Sequence, residues 1–230
     1  MVSICIASYN GCKYIRQQLV SILAQLSCND EIVISDDNSS DGTRELVLSM
    51  DDSRIKLFLN SGRHGVVPNF ENAIRHTSGD CIFLCDQDDV WEKNKVNRCL
   101  EVLQSADLVV HNLLVMNGEG CVSDMDFFSL RHSREGYWRN LYKNSFMGCC
   151  MAFRRDILNY LLPFPEGILW HDMWIGLMVE KKGKVKFIDD KLLYYRRHGS
   201  NVSATAEKSS FSLFFQIKYR LQMLYYTMIR

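Results

Sequence analysis

Residues 81–96, CIFLCDQDDVWEKNKV, place an apolar run directly before a cluster of acids. The run CIFLC has bulky side chains and no polar alternation, which is typical of a parallel strand that is buried on both faces. Asp86, Asp88 and Asp89 follow it within four positions. Neighbouring carboxylates disfavour one another's ionisation, so the sequence predicts that something compensates their charge at the end of this strand.

Short apolar runs of the same kind recur on both sides of this stretch. They are separated by segments with helical periodicity, and they occupy residues 2–7, 31–35, 55–59 and 107–111. Alternating strands and helices imply right-handed crossovers and an open parallel sheet. We therefore predict an α/β fold with a central, mostly parallel twisted sheet flanked by helices.

Polar segments follow four of the predicted strands. These segments are SYN (8–10), DDNSSDG (36–42), NSGRHG (60–65) and DQDD (86–89). In open parallel sheets, ligands bind outside the carboxyl ends of the strands. We expect the four segments to line one crevice.

The second half of the chain is less regular. Its patterns predict a strand and short helix in residues 148–158, a helix in 172–183 and strands in 184–189 and 192–196. No internal repeat or clear linker interrupts the sequence. We therefore predict one continuous domain, residues 1–205, and an amphipathic helical tail, residues 206–230.

The composition argues against several classes of protein. Of the 230 residues, 47% are hydrophobic and 23% charged, and the formal net charge of zero leaves no basic surplus for a nucleic-acid partner. The nine cysteines show no CxxC pair, and several lie in apolar runs, which favours a reducing, cytoplasmic compartment. We expect no signal peptide, and no run approaches the ~20 apolar residues that span a bilayer.

A divalent cation is one explanation for the acids of residues 86–89. Oxygen ligands favour Mg²⁺ or Mn²⁺ over zinc, and the ion would relieve the repulsion between carboxylates. The alternative is a solvated acidic turn that caps the helix beginning near Glu92. Asp36 and Asp37 form a second acidic pair, which is placed to meet a base or ribose hydroxyl in the crevice.

Five segments, in their order and spacing, resemble the motifs of glycosyltransferase family 2, the inverting nucleotide-sugar transferases of the GT-A fold. They are VSICIASYN, EIVISDDNSSDGT, GDCIFLCDQDDVW, LWHDMWIGLM and YYRRHGSN. The resemblance covers residues 1 to about 202 and is greatest to bacterial members that build O-antigen, capsule and other surface polysaccharides, including rhamnosyltransferases. It implies a nucleotide-sugar-binding half, residues 1–112, and an acceptor-binding, catalytic half, residues 113–205.

The resemblance also implies roles on the donor side. Asp88 would be a direct ligand of Mn²⁺ or Mg²⁺, with Asp86 beside it, and the cation would neutralise the donor diphosphate. His198 would be a further metal ligand or a structural residue, and Arg196, Arg197 and Asn201 are an alternative set for the diphosphate. The residues implied in nucleotide-sugar binding are Ala7, Ser8, Tyr9, Asp36, Asp37, Arg63, Asp86 and Arg197.

On the acceptor side, Asp172 matches the general base of the family, which takes a proton from the attacking hydroxyl. The alternative for Asp172 is capping of the helix that it opens. His171 stands where the family often has Glu, and Trp170, Trp174 and Gly148 are the expected acceptor-binding residues. The implied substrates are a UDP- or dTDP-sugar and a glycan or undecaprenyl-diphosphate-linked acceptor.

Residues 211–230 of the tail carry apolar residues at helical spacing, with three cations and no acid. This pattern predicts a helix that packs on the domain or on the second subunit of a homodimer. The alternative is an interfacial helix at the cytoplasmic face of the inner membrane.

Other functions fit parts of the sequence. DQDDV matches the DxDx[TV] signature of haloacid-dehalogenase-like phosphatases, but that motif ordinarily follows the first strand and would leave residues 36–42 unexplained. A nucleotidyltransferase is disfavoured, because no glycine-rich phosphate loop with a basic residue follows the first predicted strand. A non-catalytic binder of nucleotide sugars or glycans also stays open, because sequence alone does not give the geometry of Asp88 and Asp172.

Overall fold

The computed structural model describes residues 1–199 and 211–230. Asn201, the predicted domain boundary at residue 205 and the first five residues of the predicted tail lie outside the described residues.

One mixed sheet forms the centre of the molecule. Within the described residues it has nine strands: β1 (Val2–Ser8), β2 (Glu31–Asp36), β3 (Ile55–Leu59), β4 (Cys81–Cys85), β5 (Val90–Trp91), β6 (Leu108–Asn117), β7 (Val122–Asp126), β8 (Met151–Arg154) and β9 (Val185–Arg197). The strand order is β3-β2-β1-β4-β8-β6-β9-β5, and β7 pairs with β6. All five strands predicted in the first half of the chain are present.

The helices that flank the sheet are α1 (Ile15–Leu23), α2 (Thr43–Leu48), α3 (Val66–Arg75), α4 (Lys95–Leu103), α5 (Phe127–Arg131), α6 (Tyr137–Tyr142), α7 (Leu158–Leu161), α8 (His171–Lys182) and α9 (Leu213–Ile229). Short 3-10 turns precede β8 and α7 at Gly148–Cys150 and Arg155–Ile157. The α/β class and the mostly parallel sheet with flanking helices are confirmed.

Strand direction divides the sheet into two parts. Strands β3, β2, β1 and β4 are parallel, so their carboxyl ends share one edge. Strand β8 lies between β4 and β6 and is antiparallel to both, so β6 runs in the same direction as β4. The two strands predicted in residues 184–196 form the single long strand β9, which runs parallel to β6. The insertion of β8 therefore brings the second half of the chain beside β4.

The apolar runs of the sequence form the core. Ile4 and Ile6 in β1, and Ile32 and Ile34 in β2, are fully buried. The residues between the members of each pair face the other side of the sheet and are buried too. Burial of both faces explains why these strands lack polar alternation.

Helix α9 lies on the domain, against α6 and α8. Its inward side buries Tyr219, Met223 and Thr227. Two lysines at the end of α8, Lys181 and Lys182, donate to backbone carbonyls in the last turn of α9, where cations complement the helix dipole.

No helix within residues 1–199 and 211–230 combines the length and the apolar character needed to cross a bilayer.

The buried strands give a direct stability prediction. Ile34 is fully buried, so Ile34→Ala should lower the free energy of unfolding by about 2–5 kcal/mol through lost burial and a residual cavity. Leu48 is 67% exposed, and Leu48→Ala should change it by less than about 0.5 kcal/mol. Urea denaturation followed by circular dichroism measures both. Equal losses in the two variants would contradict the assignment of the core.

Candidate active site at the carboxyl edge of the sheet

The loops that follow the parallel strands lie together at one edge of the sheet. Gln87, after β4, accepts a hydrogen bond from the Tyr9 backbone N–H at 2.9 Å and donates one to the Tyr9 carbonyl at 2.9 Å. Asn10, after β1, donates its backbone N–H to Ser39 Oγ at 2.9 Å. The polar segments after β1, β2 and β4 are thus tied to one another.

Asp36 holds these loops from beneath. Its carboxylate is fully buried, and it accepts hydrogen bonds from Ser8 Oγ at 2.8 Å and from the Ser39 backbone N–H and Oγ at 2.8 and 2.6 Å. The expectation that the Asp36 side chain contacts a nucleotide is therefore corrected, because that side chain faces inward. The buried hydroxyl of Ser8 is also directed at Asp36, and the Ser8 carbonyl accepts the Asp37 backbone N–H and Asn69 Nδ2.

Asp37 lies at the rim of the crevice, with about a tenth of its side chain exposed. Asn60 Nδ2 donates to its Oδ1 at 2.8 Å, the Gly65 N–H donates to its Oδ2 at 2.8 Å, and His64 Nδ1 lies 2.9 Å from its Oδ1. The structure therefore fixes the Asp37 carboxylate at the end of β2. Sequence reasoning missed Asn60 and His64, although both lie in the polar segment after the third predicted strand.

Arg63 crosses the rim of the crevice. Its Nη1 lies 3.2 Å from Glu166 Oε1, in the segment that precedes α8, and both side chains are exposed. This ion pair links the side of the site formed by β3 to the side formed by α8.

Asp86 connects the two acidic groups of the site. Burial, together with the negative charges of Asp88 and Asp172, raises its pKa to about 7. The end of β4 and the start of α8 therefore place their carboxylates within electrostatic reach of one another. Asp86 and Asp172 are 86 positions apart in the sequence, and the fold brings their carboxyl groups near one another.

Asp88 and His198 form a pair at the same place. His198 Nε2 lies 2.8 Å from Asp88 Oδ2, and the His198 ring stacks on Tyr14 with ring centroids 4.8 Å apart. The end of β9 thus contributes an imidazole to the acidic cluster. Tyr14, which orients that imidazole from the loop before α1, was not among the predicted residues.

Arg196 and Asp89 support this cluster from within. The fully buried Asp89 accepts a hydrogen bond from the Arg196 backbone N–H at 3.0 Å, and Arg196 Nε donates to the Asp88 carbonyl at 2.8 Å. Arg196 also donates to Gln17 and is 3% exposed. The suggestion that Arg196 binds the diphosphate is therefore corrected, because its side chain is buried and used to hold the protein's own loops. Arg197 is half-buried at the end of β9.

The acidic cluster suits a hard divalent cation. Ligand atoms of Asp86, Asp89 and Cys149 lie within 4.8 Å of one another, and Asp89 Oδ2 has no hydrogen-bond partner among the described residues. The Cys149 thiol is a poor ligand, because its hydrogen bond with Cys150, together with burial, raises its pKa well above the ordinary value. Asp88, whose Oδ2 lies 2.8 Å from His198 Nε2, forms a separate pair beside this group.

Lys95 places its side-chain amino group beneath this site. It is fully buried, its Nζ donates to the Cys149 carbonyl at 2.7 Å, and it lies 4.0 Å from the centroid of the Trp91 ring. Its charge opposes the rise in pKa that burial imposes on Asp89. Sequence reasoning missed Lys95, although it occupies the apolar stripe of α4 at i and i+4 spacing with Cys99 and Leu103.

Asp172 opens α8 beside the cluster. Its Oδ1 accepts the Met173 backbone N–H at 2.6 Å, and the Gly148 backbone N–H is a second donor to the carboxylate. Burial raises the pKa of Asp172 to about 6, against the opposing effect of these donors. A carboxylate that titrates near neutral pH suits general-base chemistry.

His171 and Gly148 pack tightly behind Asp172. His171 stacks on Phe70 with ring centroids 4.1 Å apart, and burial lowers its pKa to about 3, so the ring is neutral. A Cβ at Gly148 would lie 2.7 Å from His171 Nε2. Glycine is therefore required at 148 for this close approach, and the expectation of an acceptor contact is corrected to a supporting role for Asp172.

The two tryptophans near Asp172 have different surroundings. Trp174 is fully buried, and its Nε1 donates to the Leu161 carbonyl at 3.2 Å, so the prediction that it binds an acceptor is wrong. Trp170 is half-buried, with its ring edge-to-face with Tyr219 at 4.6 Å and Phe211 at 5.8 Å. Sequence reasoning missed Tyr219, which joins α9 to this side of the site.

Comparison with known proteins finds similarity to glycosyltransferases. Residues 3–162 match the family model described as glycosyl transferase family 2. An uncharacterized glycosyltransferase of Nostoc sp. is 29% identical over 91% of this chain and 70% of its own length. The UDP-Glc:alpha-D-GlcNAc-diphosphoundecaprenol beta-1,3-glucosyltransferase WfgD of Escherichia coli is 28% identical over 90% of this chain and 81% of its own length. The dTDP-rhamnosyl transferase RfbG of Shigella flexneri is 26% identical, with shares of 87% and 76%.

Two solved structures share the architecture. Staphylococcus aureus TarS 1–349 in complex with UDP-GlcNAc superimposes with a TM-score of 0.73 at 18% identity, covering 98% of this chain and 66% of that one. The mannosyltransferase PcManGT of Pyrobaculum calidifontis, in complex with GDP-Man and Mn²⁺, gives 0.64 at 19% identity, with shares of 89% and 58%. This chain thus spans less than two thirds of either solved chain.

The buried lysine gives a prediction for the site. Lys95→Met should lower the free energy of unfolding by about 1–3 kcal/mol, because the Cys149 carbonyl loses a charged donor and the buried acids lose a cation. Lys93→Met, at an exposed position two residues earlier, is the matched control. Urea denaturation measures both. A Lys95→Met protein as stable as the Lys93→Met protein would contradict the role given to Lys95.

Proposed function

This chain belongs to glycosyltransferase family 2, and we propose that it transfers a sugar from a nucleotide diphosphate sugar to an acceptor hydroxyl with inversion at the anomeric carbon. Its fold is the GT-A fold, as predicted. Its relatives include glycosyltransferases of bacterial polysaccharide synthesis.

One observation carries the proposal. Asp86 lies within electrostatic reach of both Asp88, at the end of β4, and Asp172, at the start of α8. Inverting displacement needs charge stabilisation for the leaving group and a base for the nucleophile on opposite sides of one carbon. The single crevice holds residues suited to both tasks.

The donor side is formed by the ends of β1, β2, β3 and β4. Asp37, fixed by Asn60 and Gly65, is placed to accept an N–H of the base, and the backbone of Ala7 to Tyr9 forms the adjoining wall. Uracil and thymine offer the same N–H, so we propose a UDP- or dTDP-sugar, the donor classes named for WfgD and RfbG. Arg197 contacts the diphosphate in this proposal.

Asp88, with Asp86 and His198, would hold Mn²⁺ or Mg²⁺, whose charge stabilises the diphosphate as it leaves. The oxygen-rich donor set and the Mn²⁺ in the PcManGT complex support this cofactor.

Asp172 is the proposed general base. Its carboxylate takes the proton of the acceptor hydroxyl as that oxygen forms a bond to the anomeric carbon, and the bond to the diphosphate oxygen breaks with its electron pair. The backbone donors from Gly148 and Met173 keep the carboxylate in place. Trp170, half-buried beside it, is the remaining platform for an acceptor sugar.

The proposed acceptor is a hydroxyl of a glycan or of a sugar linked to undecaprenyl diphosphate, the second being the acceptor named for WfgD. The pathway would be synthesis of a surface polysaccharide such as O-antigen or capsule. A cytoplasmic location is supported by the nine cysteines, all of them in described residues and all free thiols.

The base assignment predicts a loss of rate and a pH profile. Asp172→Asn should lower the rate of transfer by about 10²–10⁴-fold, because the attacking hydroxyl loses its proton acceptor. In the wild-type enzyme the rate should fall as the pH drops below about 6, where Asp172 becomes protonated, and level off above it. The assay is sugar transfer from UDP-glucose to GlcNAc-diphosphate-lipid.

Asp156→Asn, at a side chain that is 76% exposed near the opposite edge of the sheet, is the matched control. Transfer by Asp172→Asn at the wild-type rate would show that the base is another group.

The donor site predicts metal-dependent binding of a nucleotide. Calorimetry with UDP and with dTDP, each with and without Mn²⁺, should show binding that needs the metal and that weakens at least tenfold in Asp88→Ala, because a ligand of the cation is lost. Asp156→Asn should bind like wild type.

Failure to bind either nucleotide would contradict the transferase and favour hydrolysis of a phosphomonoester, which p-nitrophenyl phosphate tests directly. Tight nucleotide binding without transfer would identify a non-catalytic binder.

A further inference from the structure

The outward side of α9 is apolar. The exposed residues on it, all of them 47–78% accessible, are Leu213, Phe214, Ile217, Leu221, Tyr225 and Met228. Their spacing of three and four positions makes one stripe, opposite the side that packs on α6 and α8. The helix thus carries an apolar surface that the domain itself does not cover in the described residues.

Helix α6 extends this surface with aromatic side chains. Trp138 and Tyr142 are 70% and 71% exposed. The Arg220 guanidinium of α9 lies 4.8 Å from the Tyr142 ring centroid, and the Tyr137 hydroxyl of α6 hydrogen-bonds Thr227 of α9. The two helices therefore present a continuous surface, which we call the α6–α9 surface.

The charges of this surface have one predominant sign. Residues 211–230 contain Lys218, Arg220 and Arg230 and no acid. The Arg230 side chain is turned inward to the Leu161 carbonyl and the Trp174 ring. Around α6, residues 131–143 contain four further Arg and Lys residues against Glu135 alone. The protein as a whole has a net charge of zero, so the excess is local to the α6–α9 surface.

We propose that the α6–α9 surface binds a lipid bilayer that contains anionic lipids. Apolar side chains on one side of a helix, exposed Trp and Tyr beside them and cations around them match what an interfacial helix needs. Cations near an anionic surface gain binding energy there, whereas two copies of this surface would bring like charges together. Charge complementarity therefore selects the bilayer over a second copy of the chain.

The surface also adjoins the acceptor side of the candidate active site. The Tyr219 hydroxyl of α9 accepts hydrogen bonds from the Leu169 and Trp170 backbone N–H groups at 3.1 and 3.3 Å, two residues before Asp172. A bilayer docked on the outward side of α9 is therefore separated from the segment before Asp172 by the width of one helix, about 10 Å. This placement does not depend on which sugar or acceptor the protein uses.

Sedimentation with vesicles tests the proposal. The wild-type chain should sediment with vesicles of phosphatidylglycerol mixed with phosphatidylcholine, and should bind phosphatidylcholine alone at least tenfold more weakly. Combined Ile217→Ser and Leu221→Ser changes should weaken binding to the anionic vesicles more than tenfold, because apolar area no longer enters the interface. Lys218→Gln should weaken it about fivefold.

Leu48→Ser is the matched control, since Leu48 on α2 is a leucine about as exposed as Leu221. The Leu48→Ser protein should bind the vesicles as wild type does. UDP and dTDP binding by each variant shows that the fold is retained and separates this test from the proposed transfer reaction. Light scattering of the free proteins gives the oligomeric state.

The proposal would be overturned by wild-type protein that stays in the supernatant with anionic vesicles. It would also be overturned by serine variants that sediment as wild type does. A wild-type dimer that becomes monomeric with the serine changes while neither form binds vesicles would overturn it as well, and would assign the α6–α9 surface to a second copy.

Discussion

The buried carboxylates at the end of β4 are the constraint around which the rest of the site is arranged. Burial and mutual repulsion raise the pKa of Asp86 and Asp89, so the fold has to offset the cost of their ionised forms. It does so with Lys95 from α4 and with Arg196, whose backbone N–H reaches Asp89 and whose side chain holds the loop at Asp88. These groups come from distant elements, and the sheet order β4-β8-β6-β9 is what brings them together.

Much of the fold follows from local patterns. The first four predicted strands begin and end within one residue of their observed bounds, because a strand buried on both faces has a clear apolar run between polar segments, whereas the fifth, predicted at 107–111, continues to Asn117. The crevice was predictable for the same reason, since parallel strands end at one edge. The direction of β8 was not predictable, because a short apolar run has the same composition in a parallel and in an antiparallel strand.

The parts of the site that sequence reasoning missed or misassigned depend on contacts between distant positions. Arg196 and Asp88 are 108 residues apart, and no local pattern indicates that a guanidinium will be used to hold a loop. Trp174 was expected at a surface because it flanks Asp172, but α8 is buried on nearly every side from Met173 to Val179, which leaves no outward face for a tryptophan. Asp36 and Asp37 are adjacent, and only the pleat of β2 decides which of them faces inward.

The hydrogen bonds of Tyr219 also bear on the order in which the chain folds. The N–H groups of Leu169 and Trp170 find their partner about 50 residues later, in α9, whereas the parallel strands β1, β2, β3 and β4 all pair with one another within the first 85 residues. During synthesis from the N-terminus, the parallel half of the sheet can form while the chain is still on the ribosome. The segment before Asp172 acquires these hydrogen bonds only after α9 has been synthesised, so this side of the site is completed when α9 docks.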